Sequence, residues 1–350
     1  MTESDALLEL RDVGVTFRTR FAKGGFRAAR NVTLSLRSGQ TLAIVGESGS
    51  GKSTIAKAIL GLNPVSEGSI WFEGQDLTRA RGSRRRSLSR DLQAVFQDPY
   101  SSLNPAWPVG RSIAEPISNR ASRRSKDSEQ TVSKMLERIG LSNEARFRYP
   151  AEFSGGQLQR IAIARALISS PKVVVCDEPV SSLDVSVQAQ ILNLLIELQA
   201  ATNVSYLFIS HNLTVVKNIA HRVLVLYKGM VMEEGPAEEV CGLPQQPYTQ
   251  ALLSAVPVPD PEIQRVRRLS QKKSRETVEL NLRKFRDANA GARMLDDESG
   301  CPFADRCPFV IDRCRTERPT LREGRNGVMV ACHLAESIPV VEGLVSRSHL

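Results

Sequence analysis

Residues 46–53 read Gly-Glu-Ser-Gly-Ser-Gly-Lys-Ser, a complete phosphate-binding loop of the form GxxxxGK(S/T). The loop follows a short apolar run at 41–45, typical of a strand, and precedes a run at 53–60 with the apolar spacing of a helix. Its glycines let the backbone curl so that N–H groups point at phosphate oxygens, and the helix start favours negative charge. Lys52 is expected to reach the β- and γ-phosphates, and the Ser53 hydroxyl to bind Mg²⁺. A glycine-rich turn with a chance Lys-Ser is the alternative. The order strand, loop, helix disfavours it, so we predict that the chain binds a nucleoside triphosphate.

The chain's size and composition are those of a globular protein with one large domain or two modest ones. It has 350 residues, of which 41% are hydrophobic and 24% charged. Its longest apolar runs, such as 223–227, have the length of strands, whereas a membrane-spanning helix needs about 20 apolar residues. Because the N-terminus also lacks a signal-peptide pattern, we expect a cytosolic location.

The net charge of +9 is concentrated in three basic clusters, at 79–90, 120–126 and 265–286. Such clusters can contact nucleic acid or anionic lipid, but each is more often a solvated loop. Aromatic residues make up only 5% of the chain and do not interleave with the clusters. This argues against a surface on which bases stack, and we expect no nucleic acid partner.

Strand-like runs alternate with helical stripes through most of the chain, which predicts a parallel sheet covered by helices. Residues 5–45 alternate as strands do, and residues 97–150 have the spacing of a mostly helical insertion. A helix is expected at 156–169, and apolar residues of 187–198 fall on one helical stripe. Further strands are predicted at 70–72, 92–96, 173–176, 204–209 and 222–227.

Two acidic residues end a buried strand of this predicted sheet. Four apolar residues lead into Asp177 and Glu178. Asp177 can hold Mg²⁺ through water, and Glu178 can polarise the attacking water as a general base. The alternative is that Asp177 and Glu178 merely cap the end of the strand. The phosphate loop at 46–53 makes this alternative much less favourable.

A second anion-binding helix start is predicted at 153–160, Phe-Ser-Gly-Gly-Gln-Leu-Gln-Arg. A single chain has no obvious need for two such ends on one triphosphate. Two chains arranged head-to-tail would use one end from each.

Taken in order, these motifs resemble those of the nucleotide-binding subunit of an ATP-binding-cassette (ABC) transporter. The resemblance covers roughly residues 5–256. Its elements are the Walker A loop 46–53, the Q-loop glutamine Gln97, the signature Ser154-Gly-Gly-Gln157, the Walker B pair Asp177-Glu178, the D-loop Ser182-Leu-Asp184 and the switch histidine His211.

The resemblance implies a role for each of these positions. Phe17 would stack on adenine, Ser154 and Gly156 would clamp the γ-phosphate held by an opposite subunit, and Asp184 would sit at the dimer seam. The implied catalytic residues are Glu178, His211 and Gln97. Mg²⁺ would be held through Ser53, Gln97 and Asp177. The implied ATP-binding residues are Phe17, Gly46, Glu47, Ser48, Gly49, Ser50, Gly51, Lys52, Ser53, Thr54, Ser154, Gly155, Gly156, Gln157 and Asp184.

Three further stretches, at 96–105, 177–186 and 247–253, resemble the oligopeptide/dipeptide/nickel importer branch. They imply an ATP hydrolase that energises import of small peptides, closest to the second, F-type, ATPase of a pair. The implied partners are a second ATPase subunit, identical or different, two membrane permeases and a solute-binding protein. The subunit would lie at the cytoplasmic face of the inner membrane. Nickel or another solute is an alternative cargo, and a soluble ABC ATPase acting on nucleic acid or ribosomes is an alternative of another class.

Four cysteines near the C-terminus, Cys301, Cys307, Cys314 and Cys332, are spaced C-x5-C-x6-C-x17-C, with His333 adjacent. In a cytosolic chain, four thiols at short spacing suggest a metal site rather than disulfides. Resemblance to the C-terminal extension of peptide-importer ATPases implies a [4Fe–4S] cluster on them. Zn²⁺ and four unliganded thiols are the alternatives. Residues 270–299 are longer and more charged than the Pro-rich stretch of such relatives.

The expected architecture is therefore an α/β P-loop NTPase of the ABC cassette type. It comprises a parallel-sheet core, an antiparallel β subdomain, a helical subdomain and a small Cys-rich extension. The expected boundaries are 1–256 for the cassette with the helical subdomain at about 97–165, 257–299 for a linker with some helix around 276–288, 300–335 for the Cys-rich region and 336–350 for a tail.

Overall fold

The computed structural model describes residues 6–18, 25–80, 82–118, 126–255, 261–288 and 299–339. The chain divides into two compact units, the first made of 1–43 and 53–210 and the second of 44–52 and 211–350. Basic residues 120–124, parts of the predicted linker (257–260 and 289–298) and residues 340–350 of the predicted tail lie outside the described residues.

The described residues form twelve strands. They are β1 (Ala6–Phe17), β2 (Phe26–Arg37), β3 (Thr41–Val45), β4 (Glu67–Phe72), β5 (Gln75–Asp76), β6 (Leu92–Val95), β7 (Val173–Asp177), β8 (Ser205–Ser210), β9 (Arg222–Tyr227), β10 (Met230–Pro236), β11 (Arg322–Glu323) and β12 (Met329–Val330).

The same residues form twelve α-helices. They are α1 (Lys52–Ile59), α2 (Gly82–Leu88), α3 (Pro99–Ser102), α4 (Val109–Ala114), α5 (Lys126–Arg138), α6 (Gly155–Leu167), α7 (Val185–Thr202), α8 (Leu213–Ile219), α9 (Ala237–Gly242), α10 (Pro247–Ala255), α11 (Pro261–Ala288) and α12 (Asp312–Thr316).

The first unit contains an antiparallel sheet in the order β2-β1-β4-β5. Leu10 of β1 pairs with Leu34 of β2 and with Ile70 of β4, and all three side chains are buried. Alternate residues of each strand face the same side of a sheet, so these apolar positions share one buried face. This explains the alternating pattern that predicted strands over 5–45.

The first unit also contains strands in the order β3-β8-β7-β6, of which β8, β7 and β6 run parallel. Every residue of β7 and β8 is buried, which is typical of strands covered on both faces and explains their continuous apolar runs. The strands predicted at 70–72, 92–96, 173–176 and 204–209 are confirmed, with ends shifted by a few residues.

Helices α3 to α6 follow β6 in this unit, and the described residues between 99 and 167 contain no strand. In α5, Val132, Met135 and Leu136 are buried and form the stripe that the sequence pattern predicts. Helix α4 packs against both α5 and α6. The predicted mostly helical insertion is therefore present.

The second unit has strands in the order β11-β12-β10-β9-β3, with β10 antiparallel to β9 and to β12. The C-terminal segment, residues 299–339, adds to the edge of this sheet through β12, with Val330 opposite Glu233. Residues 261–288, expected to belong to a linker, form the single helix α11. Among the described helices, none is long and apolar enough to cross a membrane.

Candidate functional site

The predicted phosphate loop in the second unit curls tightly between β3 and α1. A Cβ on Gly46 would lie 2.2 Å from the Leu226 carbonyl oxygen and 2.7 Å from Ser50 Oγ, so only glycine fits there. Gly49 has φ +78°, a left-handed conformation that glycine adopts without strain. The loop is also fixed by the Gly229 N–H, which donates to the Ser50 carbonyl at 2.9 Å.

Lys52, the first residue of α1, folds back into the loop. Its Nζ donates to the carbonyl oxygens of Gly46 at 2.8 Å and Glu47 at 2.9 Å, and the side chain is only 4% exposed. A buried ammonium beside the start of a helix makes the inside of this loop electropositive. The geometry is therefore that of an anion-binding cradle.

Ser50 contributes an unsatisfied polar atom to the same loop. Its Oγ is buried, and no hydrogen-bond partner reaches it among the residues that the structure describes. Because a buried hydroxyl without a partner is costly, this atom suits a ligand that brings an acceptor or donor. Ser48 and Gly49 are exposed at the loop tip.

In the first unit, two of the residues predicted to hold Mg²⁺ are in contact with each other. Ser53 Oγ donates to Asp177 Oδ1 at 3.0 Å, although the two residues are 124 positions apart in the chain. A hydroxyl and a carboxylate at the end of β7 are oxygen donors of the kind that Mg²⁺ prefers. The side chains present therefore fit the ion.

Glu178, the predicted general base, directly follows β7. Its φ is +51°, which a non-glycine residue adopts only when its surroundings hold it there. Its N–H donates to the Ile209 carbonyl at 3.0 Å, and its carbonyl accepts from the Ser181 hydroxyl at 3.1 Å. These bonds fix the backbone at the position where the chain leaves the sheet.

The second predicted anion-binding end lies at the start of α6. Ser154 is its N-cap: the hydroxyl accepts from the Gln157 N–H, and the Gln157 side chain accepts from the Ser154 N–H at 3.0 Å. This reciprocal capping box satisfies two donors at the helix start. A Cβ on Gly156 would lie 2.6 Å from Val187 Cγ1, so close packing on α7 also requires this glycine.

The remaining predicted residues end or begin regular elements. Asp184 is the exposed N-cap of α7, and hydrogen bonds from the Ser186 hydroxyl and the Val187 N–H lower the pKa of its carboxyl.

Phe17 ends β1, and the exposed Gln97 follows β6. Thr54 lies in the first turn of α1, and the exposed His211 directly follows β8.

Side chains that no sequence motif predicted brace the phosphate loop within the second unit. Arg306 forms a two-pronged ion pair with the Glu47 carboxylate, at 2.7 and 2.8 Å, and Tyr248 Oη accepts from the Glu47 N–H at 2.8 Å. The Arg306 hydrogen bonds lower the pKa of the Glu47 carboxyl. Arg306 lies 259 positions from Glu47, and its place one residue before Cys307 is the only sequence signal that marks it.

Two family descriptions match the chain. Residues 29–181 match the ABC transporter family, and residues 232–314 match the C-terminal region of oligopeptide/dipeptide transporters. The oligopeptide transport ATP-binding protein OppF of Haemophilus influenzae is 42% identical over 336 residues, which are 94% of this chain and 97% of that protein. The di/tripeptide transport ATP-binding protein DppF of Pseudomonas aeruginosa is 45% identical over 312 residues, 89% of this chain and 90% of that protein.

The chain belongs to the ATP-binding subunits of the oligopeptide/dipeptide ABC transporter family.

Solved structures agree with this assignment. CbiO1 from Clostridium perfringens, part of an ABC transporter complex, matches with a TM-score of 0.60 at 27% identity, covering 67% of this chain and 90% of that one. The cassette MJ0796, solved with ADP and Pi in a post-hydrolysis state, matches with a TM-score of 0.59 at 26% identity. The match covers 66% of this chain and 98% of that one. The predicted ABC cassette fold, with mixed sheets and helices, is confirmed, and this ABC subunit is an ATP hydrolase.

The four C-terminal cysteines of this ABC subunit line one cavity in the second unit, together with His333. Burial raises the pKa of the Cys301 thiol to about 11 and that of Cys307 to about 12, so both are protonated at neutral pH. Within the part of the chain that the structure describes, no group of three or more His, Cys, Asp or Glu side chains is arranged to hold a metal ion. The arrangement of the side chains therefore does not support the predicted [4Fe–4S] ligation.

Proposed function

We propose that this ABC subunit hydrolyses ATP to energise the import of small peptides across a bacterial inner membrane. The observation that carries the proposal is the contact of Ser53 with Asp177 at 3.0 Å, because it joins the residue after the phosphate-loop lysine to the acidic end of β7. The oligopeptide and di/tripeptide transport functions named for the relatives OppF and DppF supply the cargo class.

In the proposed site, the loop 46–53 would hold the triphosphate, with Lys52 on the β- and γ-phosphates. Ser53 and Asp177 would hold Mg²⁺, which would supply Lewis-acid stabilisation of the developing phosphate charge. Glu178 orients and deprotonates the attacking water, since its backbone is fixed at the end of β7.

Three further residues complete the proposed nucleotide site. Phe17 stacks on adenine, Gln97 senses the γ-phosphate and Mg²⁺, and His211 hydrogen-bonds the γ-phosphate. Gln97 and His211 follow β6 and β8, and Phe17 is the last residue of β1. These positions support the proposal, since strand ends and the loops after them commonly carry functional groups.

We propose that ATP binds between two such subunits. The start of α6 is capped by its own side chains and carries no lysine, so it is not built to hold a triphosphate alone. We therefore expect Ser154 and Gly156 to contact the γ-phosphate of an ATP held by a second ATPase subunit. Asp184 would lie at the same seam. Hydrolysis then removes the γ-phosphate contact that holds the dimer closed.

The proposed partners are a second ATPase subunit, two permeases and a solute-binding protein. The subunit would act peripherally at the cytoplasmic face of the membrane. We also propose the boundaries given above for the cassette, its helical subdomain, the linker, the Cys-rich region and the tail. Nickel or another solute is the alternative cargo, and action on nucleic acid or ribosomes is the alternative of another class.

A deletion strain tests the cargo. Uptake of labelled dipeptides, oligopeptides and Ni²⁺ is measured in the deletion strain, and in the same strain carrying either the parent gene or Glu178→Gln. Peptide uptake should be lost on deletion and restored only by the parent gene. Loss of Ni²⁺ uptake alone would assign nickel, and unchanged uptake of all three solutes would contradict an importer of either kind.

We further propose that Cys301, Cys307, Cys314 and Cys332 bind a [4Fe–4S] cluster, with Zn²⁺ as the alternative. The proximity of the four thiols in one cavity supports the proposal, although among the described residues they are not arranged as metal ligands. Protein purified without oxygen should absorb broadly near 400 nm (the region of iron–sulfur charge transfer) and contain about four irons per chain. Zinc alone would establish the alternative, and the absence of both metals would leave four free thiols.

A further inference from the structure

Within the second unit, the C-terminal segment (residues 299–339) contacts the phosphate loop through Arg306. Arg306 Nη2 donates to Glu47 Oε1 at 2.7 Å, and Arg306 Nη1 donates to Glu47 Oε2 at 2.8 Å. A planar guanidinium paired to both oxygens of one carboxylate fixes direction as well as distance. The geometry therefore holds the Glu47 side chain in one orientation.

Aromatic rings hold the guanidinium in place. Arg306 lies over the rings of Tyr227 and Phe303, 5.8 and 5.5 Å from their centroids, and its Nη1 also donates to the Tyr227 hydroxyl at 3.4 Å. Tyr248 packs on both rings, at 4.4 and 5.4 Å. Cation–π contacts and ring packing of this kind favour one guanidinium position, so less freedom is lost when Glu47 is bound.

The same cluster holds the loop backbone. The Glu47 N–H donates to the Tyr248 hydroxyl, while the Glu47 carbonyl accepts from the Lys52 ammonium. The Glu47 peptide is thus held on one side by the aromatic cluster and on the other by the lysine of the loop. A shift of Glu47 would move a carbonyl to which Lys52 is bonded.

The charge of Glu47 is a second reason to expect that the Arg306–Glu47 ion pair affects the phosphate loop. Glu47 places a carboxylate in a loop that is proposed to bind a triphosphate, where a negative charge opposes the ligand. The hydrogen bonds from Arg306 lower the pKa of that carboxyl, and the guanidinium places a compensating positive charge directly beside it. Without Arg306, the Glu47 carboxylate would lose the cation paired directly with it and would oppose the phosphates more strongly.

We propose that Arg306 is a positioning residue for ATP binding, through which the C-terminal segment orients and neutralises Glu47 in the phosphate loop. The inference rests on the proposed role of residues 46–53. It assigns Arg306 no contact with the nucleotide.

The test is the affinity of the full-length chain for the fluorescent analogue mant-ATP, measured with Mg²⁺ for four proteins. These are the parent, Arg306→Gln, the double variant Glu47→Gln/Arg306→Gln and the control Arg313→Gln. Arg313 is a matched control because it forms a similar two-pronged pair in the same segment, with Glu317 four positions along the chain. Kinetics of ATP hydrolysis with the partner subunits give KM and kcat.

Arg306→Gln should raise Kd and KM about fivefold with kcat within about twofold, since the pair is half exposed and partly screened by water. The double variant should recover most of the lost affinity, because removing the carboxylate removes the charge that Arg306 neutralises. A merely structural role would not predict this recovery. Arg313→Gln should match the parent.

Two results would overturn the inference alone. One is an unchanged Kd for Arg306→Gln while Lys52→Ala abolishes binding. The other is a double variant as weak as Arg306→Gln, which would assign the loss to packing of the C-terminal segment. If Lys52→Ala also binds normally, the proposed role of the loop itself is wrong, and the inference fails with it.

Discussion

Two helix starts in this protein combine serine and glycine, yet they are built differently. At α1, the preceding loop closes on itself: Lys52 is buried against loop carbonyls, and Ser50 Oγ is buried without a partner among the described residues. At α6, Ser154 is exposed and already bonded to Gln157 of its own first turn. The first start is shaped to enclose an anion, whereas the second is already capped by its own residues.

Glycine therefore serves two purposes in motifs that look alike. Gly46 allows close approach of backbone in a curled loop, and Gly156 allows one helix to pack on another. The lysine separates the two cases, because only the first start carries a buried positive charge. The comparison therefore predicts that changes at the first start affect binding most, and that changes at the second affect packing and dimer formation.

The largest effect is expected for Lys52→Ala. Removing the buried ammonium from the loop should lower ATP turnover by about 10³-fold, because a preorganised charge at the phosphates is lost. Lys57→Ala is the matched control, since it removes the same charge from the exposed end of the same helix. Steady-state phosphate release measures the turnover of both variants. Equal activity of the two would show that the buried charge does not distinguish the α1 start from the α6 start.

Glu178→Gln is expected to slow hydrolysis by about 10²-fold or more while leaving ATP bound, since the amide cannot accept the proton of the attacking water. If the α6 start completes the site of a second subunit, the variant should accumulate an ATP-bound dimer on size exclusion. Glu197→Gln, at an exposed position on α7, is the control. A variant that stays monomeric with ATP would contradict the role given to α6.

Ser53→Ala should raise the Mg²⁺ concentration needed for half-maximal hydrolysis by about tenfold, because the hydroxyl that contacts Asp177 is lost. The alanine keeps the helix start and the Lys52 charge, so nucleotide binding without metal should change little. Titration of MgCl₂ at fixed ATP measures the shift. An unchanged Mg²⁺ requirement would remove Ser53 from the metal site.

The smallest effect is expected at the second start. Gly156→Ala places a Cβ 2.6 Å from Val187 Cγ1 and should lower Tm by ~2–6 °C, because α6 or Val187 must shift. Gly155→Ala is the internal comparison, since its Cβ would meet Leu183 only at an ordinary 3.8 Å and should leave Tm nearly unchanged. Equal Tm values for the two variants, measured by calorimetry, would show that packing does not require Gly156.

Much of the site could be predicted because its signals are local. A loop of eight residues, an apolar strand ending in two acids and a serine before two glycines each depend on neighbours within one turn or one strand. The long helix α11 could not be predicted as well. Its 28 residues are strongly charged, and charge without a clear apolar stripe is read more easily as a linker.

Short motifs and their order were enough to specify the family, the cassette fold and the residues at which nucleotide chemistry is proposed. The surroundings of those residues depend on the folded chain. It shows Ser53 in contact with Asp177 across 124 positions, as the order of the motifs implies, and it alone reveals Arg306 at Glu47 across 259. The Arg306–Glu47 contact depends on the path of the whole chain, so no pattern in nearby residues specifies it.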